Sequence, residues 1–153
     1  MNPLNVTVEN QLYPDRPEQM TAMLEAGPAG PIVMVNLLKF REFAQYPDGS
    51  DPHLTGREAY ARYGAEVGKL ILKHGGKILY VGDVSLLSLG FADPMWDQVA
   101  LAQYPRRAAL VEMAMSPAYQ EIAVHRSAGL LGQLNIETVY SPAFAAMIAV
   151  SGK

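Results

Sequence analysis

The stretch that most constrains this chain is Pro31–Phe40, PIVMVNLLKF, an apolar run broken by one amide, Asn36, and followed by Lys39. Its length, its β-branched start and the turn residues on either side (Gly30-Pro31 before it, Pro47-Asp48-Gly49 after it) predict a strand buried on both faces. Ile32, Met34, Asn36, Leu38 and Phe40 alternate onto one side, and Val33, Val35 and Leu37 onto the other. Both sides therefore need a cover. Asn36 needs hydrogen-bond partners inside an apolar surface.

The other elements arrange themselves around that strand. A short helix is expected over Asp15–Gly27, with Asp15 as cap, Glu18 completing a capping box and Gly27-Pro28 as stop. Residues 41–54, REFAQYPDGSDPHL, form a loop long enough to suggest a lid or binding loop, or a plain surface excursion. Thr55 and Glu58 make a second capping box, opening a helix to about His74 with Tyr60, Tyr63, Val67, Leu70, Ile71 and His74 on one face. Gly75 suits the left-handed position that ends it. Strands are expected over Ile78–Leu89 and Trp96–Tyr104, joined closely enough to pair antiparallel. Pro105 starts a helix to Met115, Ser116-Pro117 a second piece to about Ala128, and Gly132–Tyr140 reads as the last strand.

The order after the first helix is β-α-β-β-α-β, an α+β ferredoxin-like arrangement. Right-handed crossovers put both main helices on one face of a four-stranded antiparallel sheet. The other face stays bare although the first strand is apolar on both sides, and soluble monomers rarely tolerate such a patch. A second copy of the chain, closing the two sheets into a barrel-like core, is the expected cover; the N-terminal helix or the C-terminal tail is the alternative. The expected organisation is an extension with a short helix over 1–30, a dimeric α/β-barrel domain over 31–140 and a tail over 141–153.

Composition narrows the function classes. A chain of 153 residues is one domain of ordinary size, and a half-hydrophobic chain with 18% charged residues folds as a globule. Scattered Lys and Arg residues and a net charge of −3 give no footprint for nucleic acid or an anionic membrane. The absence of cysteine excludes disulfides, thiolate nucleophiles and thiolate metal sites. The N-terminus shows no secretory signal and no apolar run reaches membrane length, so the cytoplasm is the expected location. His53, His74 and His125 are far apart without ligand spacing, so no metal site is expected. No G-x-G-x-x-G, phosphate loop or G-x-S-x-G occurs, and no cofactor is expected.

Several segments together carry a family signature: VMVNLLKFR at 33–41, GREAYARYG at 56–64, GG at 75–76, WD at 96–97, YP-x-R at 104–107, SPAYQ at 116–120 and HRSAGL at 125–130. In these the chain resembles the bacterial domain-of-unknown-function family thirteen-thirty over about 31–138. The resemblance implies membership of the dimeric α/β-barrel superfamily, beside antibiotic-biosynthesis monooxygenases, muconolactone isomerases and haem-degrading enzymes. It implies the fold that element order gives independently, and no activity. The haem-degrading pattern is not met: its Trp and His positions hold Met113 and Ala123 here.

Seven residues are candidates for a site. Asn36 is expected to face the dimer-side cavity; the resemblance implies the strand-one Asn that relatives use to position an oxygenated ligand, and a structural amide is the alternative. His125 is a candidate general base, with Arg126 holding a carboxylate or enolate; a cation-friendly helix end explains the pair equally well. Arg106 stands in a helix's first turn, where a bound anion would offset its unfavourable position. Tyr60 and Tyr63 lie on the core stripe with hydroxyls that could reach a cavity, and Trp96 is a packing anchor or a stacking platform. His74 should cap its own helix end and Lys39 should snorkel to solvent. Two functional readings follow. One is a small cofactor-independent enzyme of monooxygenase or isomerase type, acting on an anionic or oxygenated organic molecule, with Asn36 and His125 as catalytic groups. The other is a non-catalytic binding or purely structural homodimer, its interior filled by Met34, Leu38, Phe40 and Tyr80.

Overall fold

The computed structural model describes residues 6–144 and Met147. A short helix, α1 (Pro17–Met23), precedes β1 (Ile32–Phe40), α2 (Gly56–Lys73), β2 (Lys77–Asp83), β3 (Gln98–Tyr104), α3 (Arg107–Met115), α4 (Pro117–Gly129) and β4 (Leu130–Thr138). The four strands form one antiparallel sheet in the order β2-β3-β1-β4. That is the ferredoxin-like split β-α-β-β-α-β fold, with its second helix broken in two at Ser116.

The apolar run makes one of the two inner strands, paired with β3 on one edge and β4 on the other. The side of β1 holding Ile32, Met34, Leu38 and Phe40 is sealed. Ile32 and Met34 pack with Tyr63, Val67 and Ile71 of α2, Tyr104 of β3 and Met113 of α3. Leu38 and Phe40 pack with Leu130. Where α2 begins and α4 ends, two glycines let the backbones touch: a Cβ on Gly56 would stand 2.6 Å from the Gly129 carbonyl oxygen, and one on Gly129 2.4 Å from that of Gly56. The Thr55–Glu58 capping box is formed in both directions, and Gly75 ends the helix at φ +84°.

Register places Val35, Leu37, Val99, Leu101, Leu134 and Ile136 on the opposite side of the sheet. These side chains are half-buried or exposed, and Tyr80 beside them is 57% exposed. The first helix does not serve as their cover, since its Ala22 carbonyl accepts from Arg107 on the helix side. The Ile148 and Val150 portion of the tail lies outside the described residues.

Several boundaries differ from expectation for local reasons. Pro17 takes the first helical position of α1, which makes Arg16 the cap and leaves Asp15 to accept from the Gln11 side chain at 2.9 Å. Arg106, not Pro105, precedes the first turn of α3. Strand β2 stops at Asp83 rather than Leu89, because Asp97, after one bond from Val84 to its carbonyl, turns to β1: its N–H donates to Leu38 and its carboxylate accepts from the Phe40 N–H at 2.9 Å. Strand β4 starts at Leu130, directly off α4, because that fully buried side chain faces Phe40.

Candidate functional site

Asn36 lies on the helix-covered side of the sheet, not toward the bare side. Its amide nitrogen donates to the carbonyls of Ala100 and Met34, each at 3.3 Å, and its oxygen accepts from Gln133 at 3.3 Å. Gln133 in turn accepts from Arg126 at 3.0 Å, and Arg126 also donates to the Leu12 carbonyl at 2.8 Å. A continuous polar chain thus runs from the central strand through β4 and α4 to the N-terminal segment. That segment is pinned to the edge of β4 by the Gln11–Gln133 backbone pair.

Around this chain stand four tyrosines. Tyr60 packs on Phe40 and Tyr63 with ring centroids 5.4 and 5.2 Å apart, and the Tyr63 and Tyr119 hydroxyls meet at 3.2 Å. Burial pushes the Tyr60 phenol up to about 12, with the nearby Arg126 charge pulling the other way. Burial also raises Tyr63 and Tyr104, each further disfavoured as a phenolate by its tyrosine neighbours. All three remain protonated donors at neutral pH. The Tyr60 and Tyr104 hydroxyls find no hydrogen-bond partner among the described residues. Neither is sealed off, because no fully enclosed side-chain polar atom there lacks a partner.

His125 stands elsewhere. Adjacent on α4, it and Arg126 engage different elements, so the structure separates the two residues expected to act together. His125 Nδ1 lies 2.7 Å from the Tyr46 hydroxyl in the 41–54 loop, with the two rings edge to face. Arg62 of α2 donates to the same hydroxyl at 3.3 Å and to Asp51 at 2.9 Å. These groups line an open cleft of about 420 Å³. Tyr46, Arg62 and Asp51 were not singled out by sequence reasoning. The length of the loop was the available signal, but Tyr46 and His125 are 79 positions apart.

The remaining candidates are structural in their contacts. Arg106 is exposed, and its side chain has no hydrogen bond among the described residues. Its neighbour Arg107 instead holds Glu137 through two bonds of 2.7 Å. The Trp96 indole donates to Asn10 at 2.8 Å, tying the turn before β3 to the N-terminal segment. His74 bonds the Leu70 carbonyl of its own helix at 2.9 Å. Lys39 does not snorkel to solvent; its ammonium is held by the Met95 carbonyl at 3.1 Å and by Asp97 at 3.3 Å. Among the described residues no group of three metal-ligating side chains could hold an ion, and no helix is long and apolar enough to cross a membrane.

A four-stranded antiparallel sheet in this order, helices on one face and a tyrosine-lined polar chain beneath them, defines a ferredoxin-like α+β protein. The chain belongs to the family described as domain of unknown function DUF1330, whose model matches residues 50–137. It is 36% identical to the RPA0582 protein of unknown function from Rhodopseudomonas palustris, covering 88% of this chain and all of that one with a TM-score of 0.77. The methylated form of that protein aligns at 36% identity over 87% of this chain and 97% of its own, with a TM-score of 0.78. A dimeric ferredoxin-like protein of unknown function from Thermobifida fusca aligns over 76% of this chain and 96% of its own at 13% identity and a TM-score of 0.46, a likeness too faint to carry an inference. No curated protein matches.

Proposed function

We propose that this chain is a homodimeric protein that binds a small oxygenated or anionic organic molecule, without a cofactor, between α2, α4 and the sheet. The observation that carries the ligand reading is the Tyr60 phenol beside the Arg126 charge, its hydroxyl without a partner among the described residues yet not sealed off. A hydroxyl that reaches solvent can exchange its water for an acceptor oxygen of a ligand. Arg126 supplies the positive charge and Tyr63 and Tyr119 a further pair of hydroxyls. Asn36 and Gln133 orient Arg126 from the strand side.

The second reading is an enzyme of monooxygenase or isomerase type. Phenol donors beside a guanidinium favour it, since they would stabilise an enolate or phenolate. The position of His125 counts against it, because the expected base is turned to the loop. Binding is therefore the better-supported function.

The partner is a second copy. Four strands about 4.8 Å apart and seven residues long at about 3.3 Å each give a face of roughly 440 Å². A stable interface hides about 800 Å² on each partner. The connection from β2 to β3 adds Leu86, Leu89 and Phe91, which are 77, 90 and 90% exposed. A contact between two such faces covers both apolar sets without burying a formal charge from the central positions. In this reading residues 31–140 are the functional domain, and 1–30 and 141–153 are extensions to it.

A thermal-shift screen against small aromatic and aliphatic acids tests the site. A ligand that stabilises the native protein should lose that effect in Arg126→Ala and in Tyr60→Phe. Stabilisation retained by both variants overturns the site.

A further inference from the structure

We propose that the cleft between the 41–54 loop and α4 is a second binding site, for a small hydroxylated molecule that is neutral or carries an amine. The cleft is bounded by Tyr46, Pro47, Asp48, Ser50 and Asp51 of the loop, with Arg62, Val124 and His125 behind. The proposal is independent of the site between the helices and the sheet.

The base of the loop is fixed by backbone bonds. Ala44 N–H bonds the Leu54 carbonyl at 2.8 Å, Gln45 N–H bonds the Ala128 carbonyl at 3.0 Å, and Phe43 bridges Thr55. Ala44 is buried against Ala59 and Ala128, with Tyr46 and Leu54 packed on them. The rim then turns tightly: Gly49 adopts φ +74° and Asp51 φ +49°, a left-handed conformation that an aspartate tolerates better than most residues. That turn brings Asp51 onto Arg62, across eleven positions of sequence.

The back wall is a chain of hydrogen-bonded groups with two acceptor atoms left over. Arg62 donates through Nη1 to Asp51 Oδ2 and to the Tyr46 hydroxyl. Tyr46 in turn occupies Nδ1 of His125. Nε2 of His125 is the ring nitrogen without a partner among the described residues, and so is Asp51 Oδ1. A ligand hydroxyl matches a free imidazole nitrogen, and a hydroxyl or ammonium matches a carboxylate oxygen.

Charge decides the class. The lining holds one guanidinium, Arg62, against two carboxylates, Asp48 and Asp51, so it is negative while His125 is neutral. Hydrogen bonds from Ser50 hold the Asp48 carboxyl below the ordinary carboxylate range. An anion is repelled here, whereas the Arg126 region attracts one. The two sites therefore select opposite ligands.

Nuclear magnetic resonance titration of the full chain separates them, with Tris as a protonated amine bearing three hydroxyls and malonate as a dianion. Tris should move the His125, Tyr46 and Arg62 signals saturably, and Asp48→Asn and Tyr46→Phe should each weaken its binding at least fivefold while the rest of the spectrum stays in place. Malonate should leave the cleft signals unmoved. The proposal is overturned if Tris shifts fail to saturate, if both variants bind Tris as the native protein does, or if malonate is the probe that fills the cleft. Failure of the tyrosine–Arg126 site would show instead in Arg126 signals that no acid moves.

Discussion

One strand, β1, presents two apolar faces that meet different fates. On one side Ile32, Met34, Leu38 and Phe40 are sealed under α2, α3 and the start of β4. On the other, Val35 and Leu37 look out with Leu101 and Ile136 onto no helix of the described residues. Composition does not separate the faces, because both are built from the same aliphatic residue types. What separates them is the hand of the crossover connections, which sends both helices to one side. An apolar side chain stabilises the fold only where something is brought to it. Of the described residues on the bare side Val33 alone is buried within the chain, and in the proposed homodimer a second molecule covers the rest.

That contrast sets the largest expected effect. Leu38→Ala removes a side chain with no solvent exposure from the sealed face. It should lower the unfolding free energy by about 2–5 kcal/mol in a denaturant titration, through lost transfer energy and the cavity left behind. A loss under about 1 kcal/mol would mean that the sealed face is not the core. Leu101→Glu on the open face should instead leave a folded subunit and abolish association. Light scattering should fall from twice the 16.7 kDa chain to that mass itself. A native chain already at 16.7 kDa would remove the distinction between the faces.

A smaller effect tests the cover rather than the core. Thr55 accepts from the Glu58 N–H at 3.1 Å at the start of α2, the helix that lies over the sealed face. Thr55→Ala should reduce stability by about 1 kcal/mol, and Thr55→Ser should restore most of it. Neither should alter the mass of the proposed dimer, since the open face does not depend on α2.

Much of the fold was legible because its signals are local. The capping box at Thr55 and Glu58, Gly75 after α2 and the Ser116-Pro117 break each act within one turn of chain. The strand ends were less so, because a strand stops where its partner leaves. Val84-Ser85-Leu86 continues an acceptable strand pattern, yet Asp97 is drawn away to Phe40. The site was legible in part. Asn36 needed partners, and it has them, but the face it occupies follows from topology rather than from its own surroundings. His125 was visible as an imidazole at a helix end, while the phenol and guanidinium that engage it lie in other elements. Lys39 was misread for the same reason, since its acceptors come from the turn before β3.

The smallest effect is read against pH, at the margin of the sealed face. Glu137 shares that face with Met34 through the β1–β4 register, and its carboxylate is gripped by Arg107 through two bonds of 2.7 Å. The pair is only 16 and 20% exposed. The Arg107 bonds lower the Glu137 pKa below the value of 4.5 that an ordinary Glu shows. The folded state therefore holds this proton less tightly than the unfolded chain does. The contribution is complete above the unfolded value and is lost as pH falls through the lower, folded one. Glu137→Gln should lower the melting temperature at neutral pH, and its deficit against the native protein should close as the solution is acidified past 4.5. A deficit of constant size across that range would mean that the pair acts through shape rather than charge. In that case the rim of the sealed face would hold by packing alone, like its centre.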